Sequence, residues 1–161
     1  MNETPFFHVA FLVRRLEEAI PRFESVLGVT FLEPRPFEIE RFVDPAHFGD
    51  EEPHPWQGRA VYSRQGPPFY ELVEAKGHGV FSLDGREEGF HHVGVFHEDS
   101  HAALTSMAEA GVEASARIEG GDGRTRVWFS EPSCLHGLRL ELLDRTSPVL
   151  RDVLDEIERT R

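Results

Sequence analysis

The sequence predicts an α+β fold made of two copies of one unit, a strand, a helix and three further strands. Residues 89–96 (GFHHVGVF) repeat the apolar alternation and the central histidine of residues 6–13 (FFHVAFLV). An amphipathic segment with helical spacing follows each copy, and a Glu-Leu-(Val/Leu) strand ends each copy, at 71–73 and 141–143. The predicted parts of this single domain, residues 1–161, are module one at 5–75, a linker at 76–88, module two at 89–145 and a C-terminal helix at 147–160.

The first module begins with a strand at residues 5–13, in which alternation places His8 on the same face as the small Ala10. Apolar residues at helical spacing then predict a helix that ends at Gly28. The segment 34–57 contains five prolines and an acidic run, so it is predicted to be a long irregular loop at the mouth of a cleft. The other elements predicted in this module are strands at 29–33, 59–64 and 69–74.

The second module repeats this plan after the linker, with a helix at residues 100–110 that ends at Gly111. Its predicted strands are 89–96, 112–119, 125–130 and 138–143. A last helix starts with Ser147 as its N-cap and Pro148 in the first helical position. The apolar stripe of that helix must cover either the sheet or another subunit.

Composition narrows the range of partners. The chain has 17 basic and 29 acidic residues, a net charge of −12, and no basic cluster, which argues against nucleic acid or an anionic membrane as a partner. We find no apolar run of about 18 residues and no leader peptide, which predicts a cytoplasmic protein. The single cysteine, Cys134, cannot form an internal disulfide and fits a reducing compartment.

Four ionisable residues occupy matching places in the apolar strands of the two copies: His8, Glu71, His92 and Glu141. Pseudo-symmetry would bring them to one centre, where two imidazoles and two carboxylates suit one divalent ion such as Ni, Co, Mn, Zn or Fe. Six-fold coordination would leave two positions for a substrate. Without a metal, repulsion between the carboxylates is expected to raise the pKa of one of them. The alternative is a set of hydrogen-bonded polar residues in the core.

Two other histidine patterns are given less weight. Residues 97–101 match the zinc motif H-E-x-x-H, but His97 ends a strand and His101 lies in the next helix, so the rings need not be neighbours. His91 precedes His92 and therefore points to the opposite face of its strand, which favours a packing or surface role.

The paired histidine strand, helix and Glu-Leu-(Val/Leu) strand resemble the vicinal oxygen chelate superfamily, which includes glyoxalase I, methylmalonyl-CoA epimerase, extradiol dioxygenases and the bleomycin resistance proteins. The resemblance covers residues 6–144 and implies paired βαβββ modules whose eight strands form a curled mixed sheet around a metal-binding cleft. The metal ligands it implies are His8, Glu71, His92 and Glu141. This His-Glu-His-Glu set is similar to that of bacterial-type glyoxalase I, whereas epimerases have Gln in the second place.

The resemblance also implies a function, a metal-dependent lyase or isomerase in which Glu71 or Glu141 moves a proton next to a carbonyl and the metal stabilises the enediolate. Arg139 is predicted to bind substrate because it shares a strand face with Glu141, and Trp128 and Phe90 because aromatic side chains suit a planar ligand. The alternative is a non-catalytic binding or resistance protein that sequesters an aromatic natural product. The expected partner is a small molecule, and a homodimer is left open.

Overall fold

The computed structural model describes residues 6–160, apart from the side chains of Pro148 and Val149. The eight strands are β1 (Phe6–Val13), β2 (Arg35–Val43), β3 (His54–Tyr62), β4 (Phe69–Glu74), β5 (Gly89–His97), β6 (Ala114–Glu119), β7 (Thr125–Ser130) and β8 (Leu140–Asp144). The four α-helices are α1 (Leu16–Leu27), α2 (Pro45–Phe48), α3 (Ser100–Glu109) and α4 (Pro148–Arg159).

The strands form one closed barrel in the order β1-β4-β3-β2-β6-β7-β8-β5. The order within the first half, 1-4-3-2, is repeated in the second half as 5-8-7-6. In each half the first and last strands pair parallel, and all other neighbours are antiparallel. The two halves meet where β1 pairs with β5 and where β2 pairs with β6. This mixed, curled sheet with a C-terminal helix confirms the predicted fold class.

The prediction for the segment 34–57 was wrong. It is not an irregular loop, because it contains β2, α2 and the start of β3. The strand predicted at residues 29–33 is also absent from the described structure, where this segment contributes an isolated bridge from Phe31 to Ser63. A register shift between Ile39 and Phe42 interrupts the apolar alternation of β2, so the sequence period is lost there. The first residues of the segment, 35–39, do line the central cavity, as expected for the mouth of a cleft.

Two segments outside the barrel strands complete the core. Val80 and Phe81, in the predicted linker, are buried, and the Phe81 ring packs against Trp56 and Phe129. Leu150 and Ile157 of α4 are buried in the same apolar cluster, so the stripe of the last helix covers the barrel of its own chain. Within the described residues, no helix is long and apolar enough to cross a membrane.

Candidate metal centre

Strand register brings the four predicted ligands together on four adjacent strands, β4, β1, β5 and β8. Ala10 of β1 lies opposite Glu71 on one side and His92 on the other. In the second copy, Gly94 of β5 lies opposite His8 and Glu141 in the same way. Ala10 and Gly94, the small residues two positions after His8 and His92, therefore each lie between two predicted ligands on the neighbouring strands. The pseudo-symmetry predicted from sequence is present in the barrel.

The donor atoms of the four side chains all lie within 4.8 Å of one another. His8 Nε2 is 2.9 Å from His92 Nε2, 3.2 Å from Glu71 Oε2 and 2.9 Å from Glu141 Oε2. His92 Nε2 is 3.3 Å from Glu71 Oε2 and 3.1 Å from Glu141 Oε2. Neighbouring donors that share one ion at roughly 2.0–2.2 Å are separated by roughly 2.8–3.6 Å. The residues present therefore fit one divalent ion.

Burial gives a second indication of a ligand site. All four residues are buried, His8 completely, yet Glu71 Oε2 has no partner with hydrogen-bond geometry and is approached only by the His8 and His92 Nε2 atoms, at 3.2 and 3.3 Å. A buried carboxylate oxygen without a hydrogen bond is costly, since the water that solvated it has been lost. A cation at this point would compensate that cost. Of the described residues, these four form the one group of histidine, cysteine and acidic side chains close enough to hold an ion.

Without a metal, the charges of the two imidazoles and the two carboxylates stabilise one another. Burial alone would lower the pKa of His8, but the Glu71 and Glu141 carboxylates outweigh it and raise that pKa to about 10. The pKa of His92 is also raised, against its burial, by Glu141 and Glu71. Burial acts to raise the pKa of both carboxyl groups, yet the two imidazoles hold both below their usual range. The expectation that carboxylate repulsion raises one of them was wrong, because a histidine lies close to each oxygen.

His91 fixes the orientation of His92 from outside the cluster. His91 Nε2 lies 2.6 Å from the carbonyl oxygen of Val80, which can only accept, so this nitrogen donates. Burial, with the nearby charges of His92 and Arg139, holds the pKa of His91 well below its ordinary value, so its Nδ1 is an acceptor. His92 Nδ1 lies 2.7 Å away and donates to it. In the neutral His92 ring, the Nε2 lone pair then faces the cluster.

This role of His91 was missed by the sequence analysis, which assigned it to packing or to the surface. It is 6% exposed. Arg139 Nη1 also lies 2.8 Å from His91 Nε2, but a guanidinium and an N–H are both donors, so this contact is not a hydrogen bond. The sequence shows that His91 and His92 are adjacent, but it does not show that the carbonyl oxygen of Val80, in the linker, accepts a hydrogen bond from His91 Nε2.

A cavity of about 970 Å³ opens from this centre, lined by Glu71, His92 and Glu141 and by residues of β2, β3 and α4. Its inner wall is apolar and includes Phe37, Phe81 and Phe129. Tyr62 lies opposite Glu71 in the pairing of β3 with β4 and its ring is 5.4 Å from that of His8. Burial, with the charges of Glu71 and Glu141, raises the pKa of Tyr62, so this cavity residue is a neutral phenol. The alternation of inward and outward side chains along β3 was the sequence signal that could have identified Tyr62 as a cavity residue.

The three side chains predicted to bind substrate are not among the residues that line this cavity. Trp128 points away from it because Val127 and Phe129 point inward, and it is fully buried with Ala103 and Leu142 beneath α3. Phe90 is 52% exposed and packs on Phe11. Arg139 precedes β8 and is buried beside His91.

The zinc motif at residues 97–101 does not form a paired site. His97 Nδ1 accepts from the Asp99 amide, and His101 Nδ1 accepts from the Thr125 amide. Asp99 is the N-cap of α3 and separates the two rings.

Comparison with known proteins agrees with this architecture. Residues 7–129 match the family described as the glyoxalase/bleomycin resistance protein/dioxygenase superfamily. The chain belongs to this superfamily. No curated protein gives a significant match.

Solved structures with a similar fold include methylmalonyl-CoA epimerases. A Streptomyces coelicolor variant in complex with 2-nitronate-propionyl-CoA is 16% identical, with a TM-score of 0.62 over 89% of this chain and 96% of that one. The Mycobacterium tuberculosis epimerase is 18% identical, with a TM-score of 0.56 over 92% and 91%. A hypothetical protein from Bacillus halodurans C-125 is 18% identical, with a TM-score of 0.60 over 91% and 97%. At these identities the likeness shows the fold.

Proposed function

We propose that this superfamily member is a metal-dependent isomerase or lyase that moves a proton next to the carbonyl group of a small molecule. The observation that supports the proposal is the group of four donor atoms within 4.8 Å, set in the wall of the cavity. Two neutral imidazoles and two carboxylates would hold one divalent ion, namely Ni, Co, Mn, Zn or Fe. When bound, that ion would act as a Lewis acid for the negative charge that develops on a carbonyl oxygen.

Glu71 and Glu141 are the proposed bases. Both line the cavity, and a glutamate carboxylate is ionised at neutral pH and can accept a proton. They belong to strands on opposite sides of the β1–β5 pair, so a planar intermediate between them would have one carboxylate near each face. Removal by one and return by the other would give epimerisation, and return at the neighbouring carbon would give a glyoxalase-type product.

The apolar wall supports a reaction of this type because it excludes water from a charged intermediate. Phe37, Phe81 and Phe129 face the cavity, and the Tyr62 phenol is neutral. In such surroundings, fixed charges act more strongly than in water.

The test is hydrogen exchange. Protein loaded with Ni²⁺, and with its metal content measured, is incubated in deuterated water with acetoin or lactaldehyde, each of which has adjacent oxygens and an α-hydrogen. Loss of the α-hydrogen signal by proton NMR is the expected result, with Glu71→Gln or Glu141→Gln slower by about 10²–10⁴-fold. Glu40→Gln, an exposed change on β2, is the matched control.

Exchange that survives in both Gln variants would reject the two carboxylates as bases. The rival function is sequestration, which the size and apolar wall of the cavity would also allow. Tight binding of aromatic compounds by a protein that exchanges no α-hydrogen would favour that rival.

A further inference from the structure

One aromatic ring stands beside the metal centre in each half of the barrel, at the equivalent place. Tyr62 of β3 lies opposite Glu71 of β4 in the strand register. In the second half, Phe129 of β7 lies opposite Glu141 of β8 in the same way. Both aromatic residues line the cavity. The pseudo-symmetry of the four ligands therefore extends to the residues that face the two carboxylates.

The contacts of these two rings with the ligand histidines also match. The Tyr62 ring meets the His8 ring edge-on, with centroids 5.4 Å apart and planes at 81°. The Phe129 ring meets the His92 ring with centroids 5.3 Å apart and planes at 80°. The two rings thus agree in strand position and in packing, and they differ by one atom, the hydroxyl oxygen of Tyr62.

That hydroxyl group makes the two carboxylates unequal. It is close enough to the Glu71 carboxylate to act as a hydrogen-bond donor to it. Phe129 has no hydroxyl group to offer to Glu141, and the two ligand imidazoles do not restore the balance, because each of them approaches both carboxylates. A hydrogen bond to a carboxylate is stronger than one between neutral groups, and it fixes the direction of the acceptor.

We infer that Tyr62 is a positioning residue through which this centre distinguishes the two mirror-image forms of its substrate. Its hydroxyl group holds the Glu71 carboxylate in one orientation, a restraint that Glu141 lacks. When a carboxylate removes the α-proton, the C–H bond breaks, its electron pair forms the double bond of the enediolate, and the proton passes to the carboxylate on that face. A restrained base and an unrestrained base react at different rates.

The contact between Tyr62 and Glu71 follows from the structure alone, whereas the discrimination between enantiomers rests on the proposed function. The first experiment therefore uses metal-free protein labelled with carbon-13 at the glutamate carboxyl groups, with the signals of residues 71 and 141 assigned from Glu71→Gln and Glu141→Gln. In Tyr62→Phe, the Glu71 signal should shift and the Glu141 signal should stay. Tyr62→Phe combined with Phe129→Tyr should shift the Glu141 signal as well.

The second experiment measures the discrimination. Ni²⁺-loaded protein is incubated in deuterated water with (R)- or (S)-lactaldehyde, and proton NMR gives the initial rate of α-hydrogen loss for each. The two ends of lactaldehyde differ, so its enantiomers, held in the same way, present this hydrogen to opposite faces. We expect unequal rates in the wild type. Tyr62→Phe should move their ratio toward one by about three- to tenfold, the effect of one hydrogen bond, and the double variant should reverse the preference.

Tyr70→Phe is the matched control for both experiments. Tyr70 is the second of the two tyrosines of the chain, lies on the opposite face of β4 from Glu71 and packs on Phe11. An unchanged Glu71 signal in Tyr62→Phe would overturn the contact. A rate ratio that is equal in wild type and Tyr62→Phe, or that moves as far in Tyr70→Phe, would overturn the discrimination. If the Glu71 signal shifts as expected but the wild type exchanges neither enantiomer, the positioning of Glu71 stands and the proposed proton-shift function is rejected.

Discussion

At the scale of single residues, the contact from His91 to His92 decides which nitrogen of His92 can act as a ligand. His91→Phe keeps a ring in the buried space but removes the Nδ1 acceptor, so His92 is free to place its proton on Nε2. We expect a loss of Ni²⁺ affinity of about 10–100-fold, the usual effect of removing the outer partner of a metal-binding histidine. Chelator competition measures the affinity, and nitrogen-15 NMR of the imidazoles reports the tautomer.

A purely structural role of His91 would lower thermal stability without moving the tautomer signal. His54→Phe, at a partly exposed histidine paired with Asp50 and stacked on Phe48, provides the control for a histidine-to-phenylalanine change. Unchanged Ni²⁺ affinity and an unchanged His92 tautomer in His91→Phe would show that His91 does not orient the ligand.

Gly94 is the second residue on which the geometry of the cluster depends. A Cβ atom at this position would overlap the His8 ring, although the equivalent Ala10 of the first copy is tolerated beside His92. Gly94→Ala should therefore displace His8, weaken Ni²⁺ binding and cost about 1–3 kcal/mol of unfolding free energy through overpacking. Gly121→Ala is the control, because a Cβ there meets nothing within 4 Å. Equal Ni²⁺ affinity in the two variants would mean that His8 has room to move.

At the scale of elements, α4 is a separate cover on a barrel that is already closed. Its buried Ile157 and Leu150 attach it to the core, whereas its acidic residues Asp152, Asp155, Glu156 and Glu158 line the cavity. Ile157→Asp would bury an unpaired carboxylate, which is costly enough to detach the helix. We expect fast amide exchange at residues 148–159 by mass spectrometry, with protection of β1–β8 retained. The same analysis of Arg151→Ala, a change at an exposed residue of α4, provides the baseline. A global loss of protection in Ile157→Asp would show that α4 is part of the cooperative core.

At the scale of the whole molecule, the sequence predicted the elements whose apolar spacing is regular and missed those that depend on a bulge or on distant partners. Alternation around His8 and His92, with Glu71 and Glu141 in the closing strands, was sufficient to predict the centre, because equal positions in two copies meet at a pseudo-symmetric axis. The bulge in β2 removed the strand period there, so that strand was missed. The position of Phe81 inside the barrel depends on distant partners, Trp56 and Phe129, which no local pattern records.

The proton on His8 acts on folding and on metal binding in opposite directions, so both depend on pH. The pKa of His8 is raised from 6.5 to about 10, so its contribution to the stability of the metal-free protein is complete below about pH 6.5 and is lost as pH rises through 10. The pKa values of Glu71 and Glu141 are lowered, so their contribution is present above about pH 4.5 and is lost only as pH falls. The Tm advantage of the metal-free wild type over His8→Gln should therefore shrink between about pH 6.5 and pH 10.

Ni²⁺ requires a neutral imidazole, so its binding must displace the proton that His8 holds at pH 7. Over the same pH range, the rise in Tm caused by Ni²⁺ should grow, and at a concentration of 100 times its Kd the ion should add about 2.7 kcal/mol to the unfolding free energy. Calorimetry in two buffers of different ionisation enthalpy measures the protons released for each ion bound. A Ni²⁺ effect that falls with rising pH, or binding that releases no proton, would mean that His8 is not a ligand, since a histidine that keeps its proton has no lone pair at Nε2 to offer.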